Sequence, residues 1–452
     1  MAFKYGDGQA HVCLKIPNKT SGCFQEAEFQ PVSTEFVRTS CLQDLIWSLS
    51  KATNLSEADS RYFKELSERF LQFPSPKTGF RQRKEYRQLS RQERSNFHRA
   101  LQILYEEGTI RLYAKLMANA NPEVKLSPEF LGFQRVFLAF FEEELRRVDD
   151  TVSLPYWDYT ADFETDNPVN SILWTPDLLG NGNGQVVTGD FRHWRTTHGP
   201  LQRRYGESNY GVLISRDVIA KIMTKCDAAD ITYPIGTDID EQYVMEYHQN
   251  GVFNWVGGTV ADADTAAYDP VFYLISACTD HIWEVFQYRQ RVACNKVPAT
   301  DYPNKDAFKK MFGFSELINA HGYSGHWTTA WYNYTRAPYC PNCNSEFLWC
   351  DKLKTRCVAD SRRNDFNIGP KQHLDLNIDT EVEYIPRKIA FPQLPSPFND
   401  GRTLVTGKRD AKRAFEARFM RRRNNQVKPR VDKPSQDVGI TPTTNETTTE
   451  SD

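Results

Sequence analysis

Between Ser127 and Val148 the apolar positions fall at helical spacing. Phe130, Gln134, Phe137, Phe141, Leu145 and Val148 recur every third or fourth residue and so share one face of a helix. Ser127 suits the N-cap and Pro128 the first turn, which predicts a helix starting there. Five of the six positions are hydrocarbon. The sixth, Gln134, places a primary amide where the helix buries apolar surface, and it leaves a hydrogen bond unmet unless a partner is found. Upstream, Ser90-x-x-Glu93 has the form of a capping box. Phe97, Ala100, Leu101 and Leu104 continue from it as an apolar stripe, predicting a second helix. The Arg-dense run from Arg81 to Arg94 reads as the solvated approach to that helix. The pattern points to a mainly α fold.

Other stretches are irregular. Residues 160–240 are loop-rich, with Asn167-Pro168, Gly180-Asn-Gly-Asn-Gly184 and Gly199-Pro200. His193 and His198 stand five apart there, a spacing that shares no helical face, and read as surface or locally bonded histidines. Residues 1–75 form an N-terminal extension with three cysteines and a helix carrying Leu42, Leu45 and Ile46 on one side. The domain carrying the long helices spans 76–339, a cysteine-rich module 340–360, and a tail 361–452. From Lys408 to Lys433 the tail holds eleven Lys/Arg against three acids, then becomes a Thr-rich low-complexity segment. The basic block reads as a contact for acidic matrix polymers, a processing site or a solvated linker.

Composition narrows the class. With 40% hydrophobic and 13% aromatic residues the chain can form a sizeable core, and a net charge of −2 supplies no basic field for nucleic acid. The longest apolar runs, such as Val271–Cys278, fall far short of the ~20 residues of a membrane span. Ten cysteines in clusters and the sequons at Asn18, Asn54, Asn333 and Asn445 favour a secreted, oxidised protein. The opening Met1-Ala-Phe-Lys-Tyr-Gly lacks the apolar core of a signal peptide, so the chain reads as a mature or truncated form. Cys340, Cys343, Cys350 and Cys357 could hold zinc, but in that context disulfides are expected, in a connectivity that spacing leaves open.

Phe130-Leu131-Gly132-Phe133-Gln134-Arg135, followed by Phe141-Glu142, Leu145 and Pro155-Tyr156-Trp157-Asp158, resembles the first copper-binding motif of the tyrosinase family. In that family the signature is Phe-Leu-x-Trp-His-Arg, and Gln134 stands at the ligating histidine. Tyr243–Gly258 resembles the second motif, His-x-x-x-His-x-Trp-x-Gly-Gly. Anchored on Trp255 and Gly257-Gly258, its two histidines become Gln249 and Phe253. His248 lies one residue out of register, about 100° around a helix, and only a local bulge would bring it in. Asp269-Pro270-x-Phe272 through Asp280 and Trp283 resembles the following helix, with Ile275 and Ser276 at its paired histidines. His281 is not a ligand position. Counting back nine residues from Gln134 gives Lys125, and the remaining first-site position falls near Met117. No Cys lies in that region for the Cys–His thioether of some relatives.

The resemblance runs from about 81 to about 360 and is strongest toward molluscan and nematode tyrosinase-like proteins. It implies a four-helix bundle core that in the family holds two copper ions on six imidazoles. Here Met117, Lys125, Gln134, Gln249, Phe253 and Ser276 stand at the ligand positions. Phenylalanine has no lone pair, lysine is an ammonium near neutral pH, and amides and hydroxyls are poor copper donors beside imidazole. The expectation is a secreted pseudoenzyme with no copper cofactor, and with catalytic, cofactor-binding and metal residues all absent. Its partners are expected to be extracellular, shell-type matrix or mineral-associated polymers. Two alternatives stay open: a copper-dependent phenol or catechol oxidase with a remodelled site, and a non-catalytic binder of phenolic ligands. In the metal-free reading Phe253 and its neighbours fill the space, and Lys125 must reach solvent or a carboxylate.

Overall fold

A computed structural model describes residues 54–72, 76, 79–120, 124–208, 211–233, 240–303 and 305–362, together with the paired strands Ala2–Phe3 and Val12–Cys13. Asn18, Asn445, the helix expected around Leu42 and the basic tail lie outside these residues. The described part falls within one compact unit, Met1–Pro397.

Nine α-helices among the described residues carry the fold: α1 Glu57–Gln72, α2 Arg91–Glu106, α3 Thr109–Asn119, α4 Phe130–Val148, α5 Tyr159–Phe163, α6 Arg216–Ile222, α7 Met245–Val256, α8 Pro270–Val292 and α9 Asn319–Gly322. Strands among them come only in pairs. Helix α4 is the hub. It packs against α2, α8 and α9, while α3 lies on α2 and α7 lies on α8. All of its residues from Phe130 to Arg146 are buried, so the one-faced stripe read from spacing understates its position. The helix also begins later than Ser127. Ser127 accepts the Glu129 N–H and donates to the Val124 carbonyl, closing a turn ahead of the helix.

The capping box of α2 forms in both directions, Glu93 N–H to Ser90 Oγ and Ser90 N–H to the Glu93 carboxylate. The approach to it differs from expectation. Arg81, Arg83 and Arg87 are buried. Strand Arg81–Arg83, here β1, pairs in parallel with Tyr332–Tyr334, here β2. Arg83 meets Glu142 at 2.9 Å and Asp280 at 3.4 Å, and its guanidinium lies 3.5 Å from the Tyr332 ring centroid. Arg81 pairs with Glu143, and Arg87 is held by Glu85 and Asp162 at 2.7 and 2.9 Å. A cation goes inside only with such partners. Spacing along the segment shows the charges but not the carboxylates that α4, α5 and α8 bring to them.

Helix α1 falls within the stretch read as an extension, yet Phe63, Leu66 and Phe70 enter the main core, with Phe70 stacked on Trp327 at 4.5 Å. Asn333, a glycosylation candidate, lies inside β2 at 9% exposure. Asn54 is exposed. The cysteine module is the hairpin Leu348–Asp351 and Arg356–Ala359, here β3 and β4, packed on α5. Its pairings are Cys340–Cys350 and Cys343–Cys357, and Cys226–Cys294 closes a third disulfide elsewhere.

Candidate functional site

The interior of the bundle is assembled by α4, α7, α8 and the turn preceding α4. Gln134 projects from α4 and Gln249 from α7, three residues beyond Glu246 and four before Phe253, so all three α7 side chains share a face. The two amides close a reciprocal pair. Gln134 Nε2 donates to Gln249 Oε1 at 3.0 Å, and Gln249 Nε2 returns a bond to Gln134 Oε1 at 2.7 Å. The second Gln134 N–H reaches the Ser276 carbonyl oxygen on α8 at 3.3 Å. Both amides are 1% exposed, and the polar burden that Gln134 carries into the core is met by this pairing. The Ser276 hydroxyl is buried with no partner among the described residues.

Lys125 enters from the other side. Its Nζ lies 5.4 Å from the Phe130 ring centroid and 5.8 Å from that of Phe253. Phe253 in turn stacks on Phe272 at 5.3 Å, and the aromatic packing continues through Phe137 and Tyr273 to Phe141. Burial pushes the Lys125 amine below the ordinary lysine range, with Glu246 opposing the shift. Burial pushes the Glu246 carboxyl up, with Lys125 and the Leu126 N–H opposing. That N–H contacts both Glu246 oxygens, at 3.0 and 3.1 Å. Lys125 keeps partial solvent exposure.

Gln134, Gln249 and Ser276 therefore converge, and Lys125 joins them through Phe253. Met117 is buried in the same core on α3. His248 stays out of register. There is no bulge in α7, and its Nε2 bonds the Gln242 carbonyl at 2.8 Å. Burial lowers its pKa, the Gln242 carbonyl opposing. His281 is wedged between Tyr156 and Tyr334, and burial lowers its pKa to about 4. His198 lies between Asp262 and Asp264, while Cys340, Cys343 and Cys357 are engaged in disulfides. Among the described residues these are the two groups close enough to share a cation, and neither contains any of the six ligand-position residues. Glu246 was missed in the sequence. The signal available was the demand of Lys125 for a carboxylate and the one-turn spacing from Glu246 to Gln249.

Beside the amide pair the scaffold is charged and closely hydrogen-bonded. Asp280 on α8 accepts from Arg135 Nε at 2.7 Å and from the Tyr332 and Tyr334 hydroxyls at 2.6 and 2.7 Å. Burial raises its pKa, but Arg135, Arg83 and the hydroxyls outweigh that and hold it below the usual carboxylate range. Asp269 caps α8 through the Val271 N–H and forms a two-pronged pair with Arg203 at 2.8 Å on each arm.

The helices that carry the two motifs, α4 from the first and α7 with α8 from the second, meet at the centre of a mainly α core. The family model "Common central domain of tyrosinase" matches residues 95–289. The chain is 31% identical over 293 residues to a putative tyrosinase-like protein of Caenorhabditis elegans, covering 60% of this chain and 41% of that one. It is 31% identical over 306 residues to a tyrosinase-like protein of Pinctada maxima, covering 61% and 66%. A tyrosinase of Streptomyces antibioticus is 31% identical over 194 residues, covering 39% of this chain and 69% of that one. The chain belongs to the tyrosinase family. It spans less than two thirds of the length of the nematode and Pinctada relatives.

Proposed function

We propose that this chain is a secreted member of the tyrosinase family that has lost the dicopper centre and serves as a structural or binding component of an extracellular, shell-type matrix. The observation that carries the proposal is the Gln134–Gln249 pair. Each amide donates one hydrogen bond to the other and accepts one in return, and the neighbouring ligand positions hold a lysine amine, a phenyl ring and a hydroxyl. Two copper ions need convergent imidazoles, and these donors do not fit them. Packing takes over the role that coordination has in the family. Phe253 on Phe272 and the aromatic series behind it hold the two halves of the bundle together.

The extracellular part of the proposal is supported by the disulfides, which suit an oxidising compartment, and the matrix part extends what the molluscan resemblance implies. No helix among the described residues is long and apolar enough to cross a membrane. The deciding measurement is the copper content of protein expressed with excess copper salt, alongside catechol oxidation. Fewer than about 0.1 copper per chain and no turnover are expected, because amide and ammonium groups cannot match imidazole for copper. Two coppers per chain with turnover would establish a remodelled oxidase instead. Stabilisation by phenols without turnover would favour the phenolic binder.

A further inference from the structure

We propose that Cys226–Cys294 is an exchangeable disulfide, at which a low-molecular-weight thiol such as glutathione adds to Cys226 and expels Cys294 as a thiolate held by Arg289. The proposal uses none of the six ligand-position residues and is independent of whether copper binds among them.

The bond joins the segment after α6 to the residue just beyond the end of α8. Arg289, in the last turn of α8, lies against it. Its Nη1 stands 3.1 Å from Cys294 Sγ and 3.5 Å from Cys226 Sγ, and donates to the Lys225 carbonyl at 2.6 Å. No carboxylate among the described residues pairs with this guanidinium, so its charge is left to the sulfurs and one carbonyl. The other cations nearby are engaged. Lys296 pairs with Asp227 and with Asp301 at 3.5 Å, and Lys225 Nζ lies 4.1 Å from the Tyr243 ring centroid. Both cysteines are partly exposed. Cys340–Cys350 is partly exposed too, but among the described residues no basic side chain bonds its sulfurs, and Cys343–Cys357 is buried.

A disulfide opens by attack of a thiolate on one sulfur, and it opens faster as the departing thiol becomes more acidic. A neighbouring guanidinium makes a cysteine more acidic by stabilising its thiolate. The shorter contact therefore selects Cys294 as the leaving group and Cys226 as the sulfur attacked. The glutathione sulfur bonds to Cys226 Sγ, the Cys226–Cys294 bond breaks, and its electron pair leaves on Cys294 Sγ. One disulfide is consumed and one is formed, with no net oxidation. The end of a helix disfavours an anion. At the end of α8, however, the carbonyls are occupied: Ala293 N–H bonds that of Arg289 at 2.8 Å and Lys296 N–H that of Gln290 at 2.9 Å. Gln290 Nε2 also holds the Cys226 carbonyl at 2.8 Å, which keeps the two ends tied once the bond opens and lets Cys294 reclose it.

The test exposes the full folded chain to reduced glutathione at neutral pH, quenches with iodoacetamide and maps every cysteine by peptide mass. The expected product carries glutathione on Cys226 and carbamidomethyl on Cys294. It should form about tenfold faster than any adduct of Cys340 or Cys350, the gain that a stabilised leaving thiolate gives. Arg289→Gln should slow the adduct about tenfold and scatter it over both sulfurs, and Arg289→Lys, which keeps a cation, should recover part of the rate. The wild-type map decides the matter even if a variant fails to fold. Glutathione mainly on Cys294, or opening no faster than at Cys340–Cys350, overturns the proposal. So does an adduct that appears only together with labelling of Cys278, a buried free thiol, since that marks unfolding rather than exchange.

Discussion

Gln134 and Gln249 satisfy one another, so either is expensive to remove alone. Gln134→Leu or Gln249→Leu strands a buried amide and is expected to cost about 1–3 kcal/mol in urea unfolding. The double change to leucine removes both amides and should recover most of that loss. Simple additivity of the two single effects would show that the pair does not act as a unit. Ser276→Ala removes a buried hydroxyl that has no partner among the described residues and should be neutral or stabilising by up to about 1 kcal/mol. Gln134 was legible as an anomaly from its place in an apolar stripe. Its partner was not, because 115 residues separate it from Gln249 and only packing of α4 on α7 and α8 brings them together.

At the scale of elements, α8 sets the acid response. It presents Asp280 to two arginines and His281 to two tyrosine rings. The His281 pKa is lowered, so below the unfolded value near 6.5 the unfolded chain binds a proton that the folded chain refuses. Stability should therefore fall from about pH 6.5 down to about pH 4, and this contribution levels off below that. The ceiling is about 3 kcal/mol, reduced by the partial exposure of the residue. His281→Phe should flatten the urea-midpoint profile across that window, and an unchanged slope would remove the histidine from the account. Asp280 adds a second loss at lower pH. Its pKa is depressed, so its stabilisation is present above the ordinary carboxylate pKa of about 4 and disappears as pH falls through the folded value. Asp280→Ala leaves Arg83 and Arg135 short of a counter-charge and is expected to cost about 3–5 kcal/mol at neutral pH. The helices themselves were readable from spacing and the Ser90–Glu93 cap. The direction of the Arg81–Arg87 side chains was not, since a buried arginine and a solvated one look alike until their carboxylates arrive.

Across the whole molecule, the disulfides divide the labour by loop length. Cys226–Cys294 closes 68 residues, a span that contains α7 and α8 and hence half of the site. Loop-closure entropy for that span is about 4 kcal/mol, so the double change to serine should lower global stability by up to that amount in a chemical melt. Cys340–Cys350 and Cys343–Cys357 close 10 and 14 residues around a small separate cluster. Their removal should expose the β3–β4 hairpin to proteolysis while the bundle keeps its melting temperature. A cooperative loss of the whole fold on cutting those two would show that the module and bundle are one unit.

The sequence by itself determined the family, the mainly α class, the registers of both motif-bearing halves and the chemical types at the six ligand positions. These are local properties, carried by periodicity, caps and anchors such as Trp255, Gly257-Gly258 and Asp280. Tertiary structure decided what those types do. It made an amide pair of two glutamines from different helices, set Lys125 beside two phenyl rings, buried Arg81 and Arg83 on acids of distant elements, and placed Asn333 inside a strand. The reason is physical: the free energy of a buried polar group depends on which partner meets it, and a partner a hundred residues away is fixed only when the helices pack.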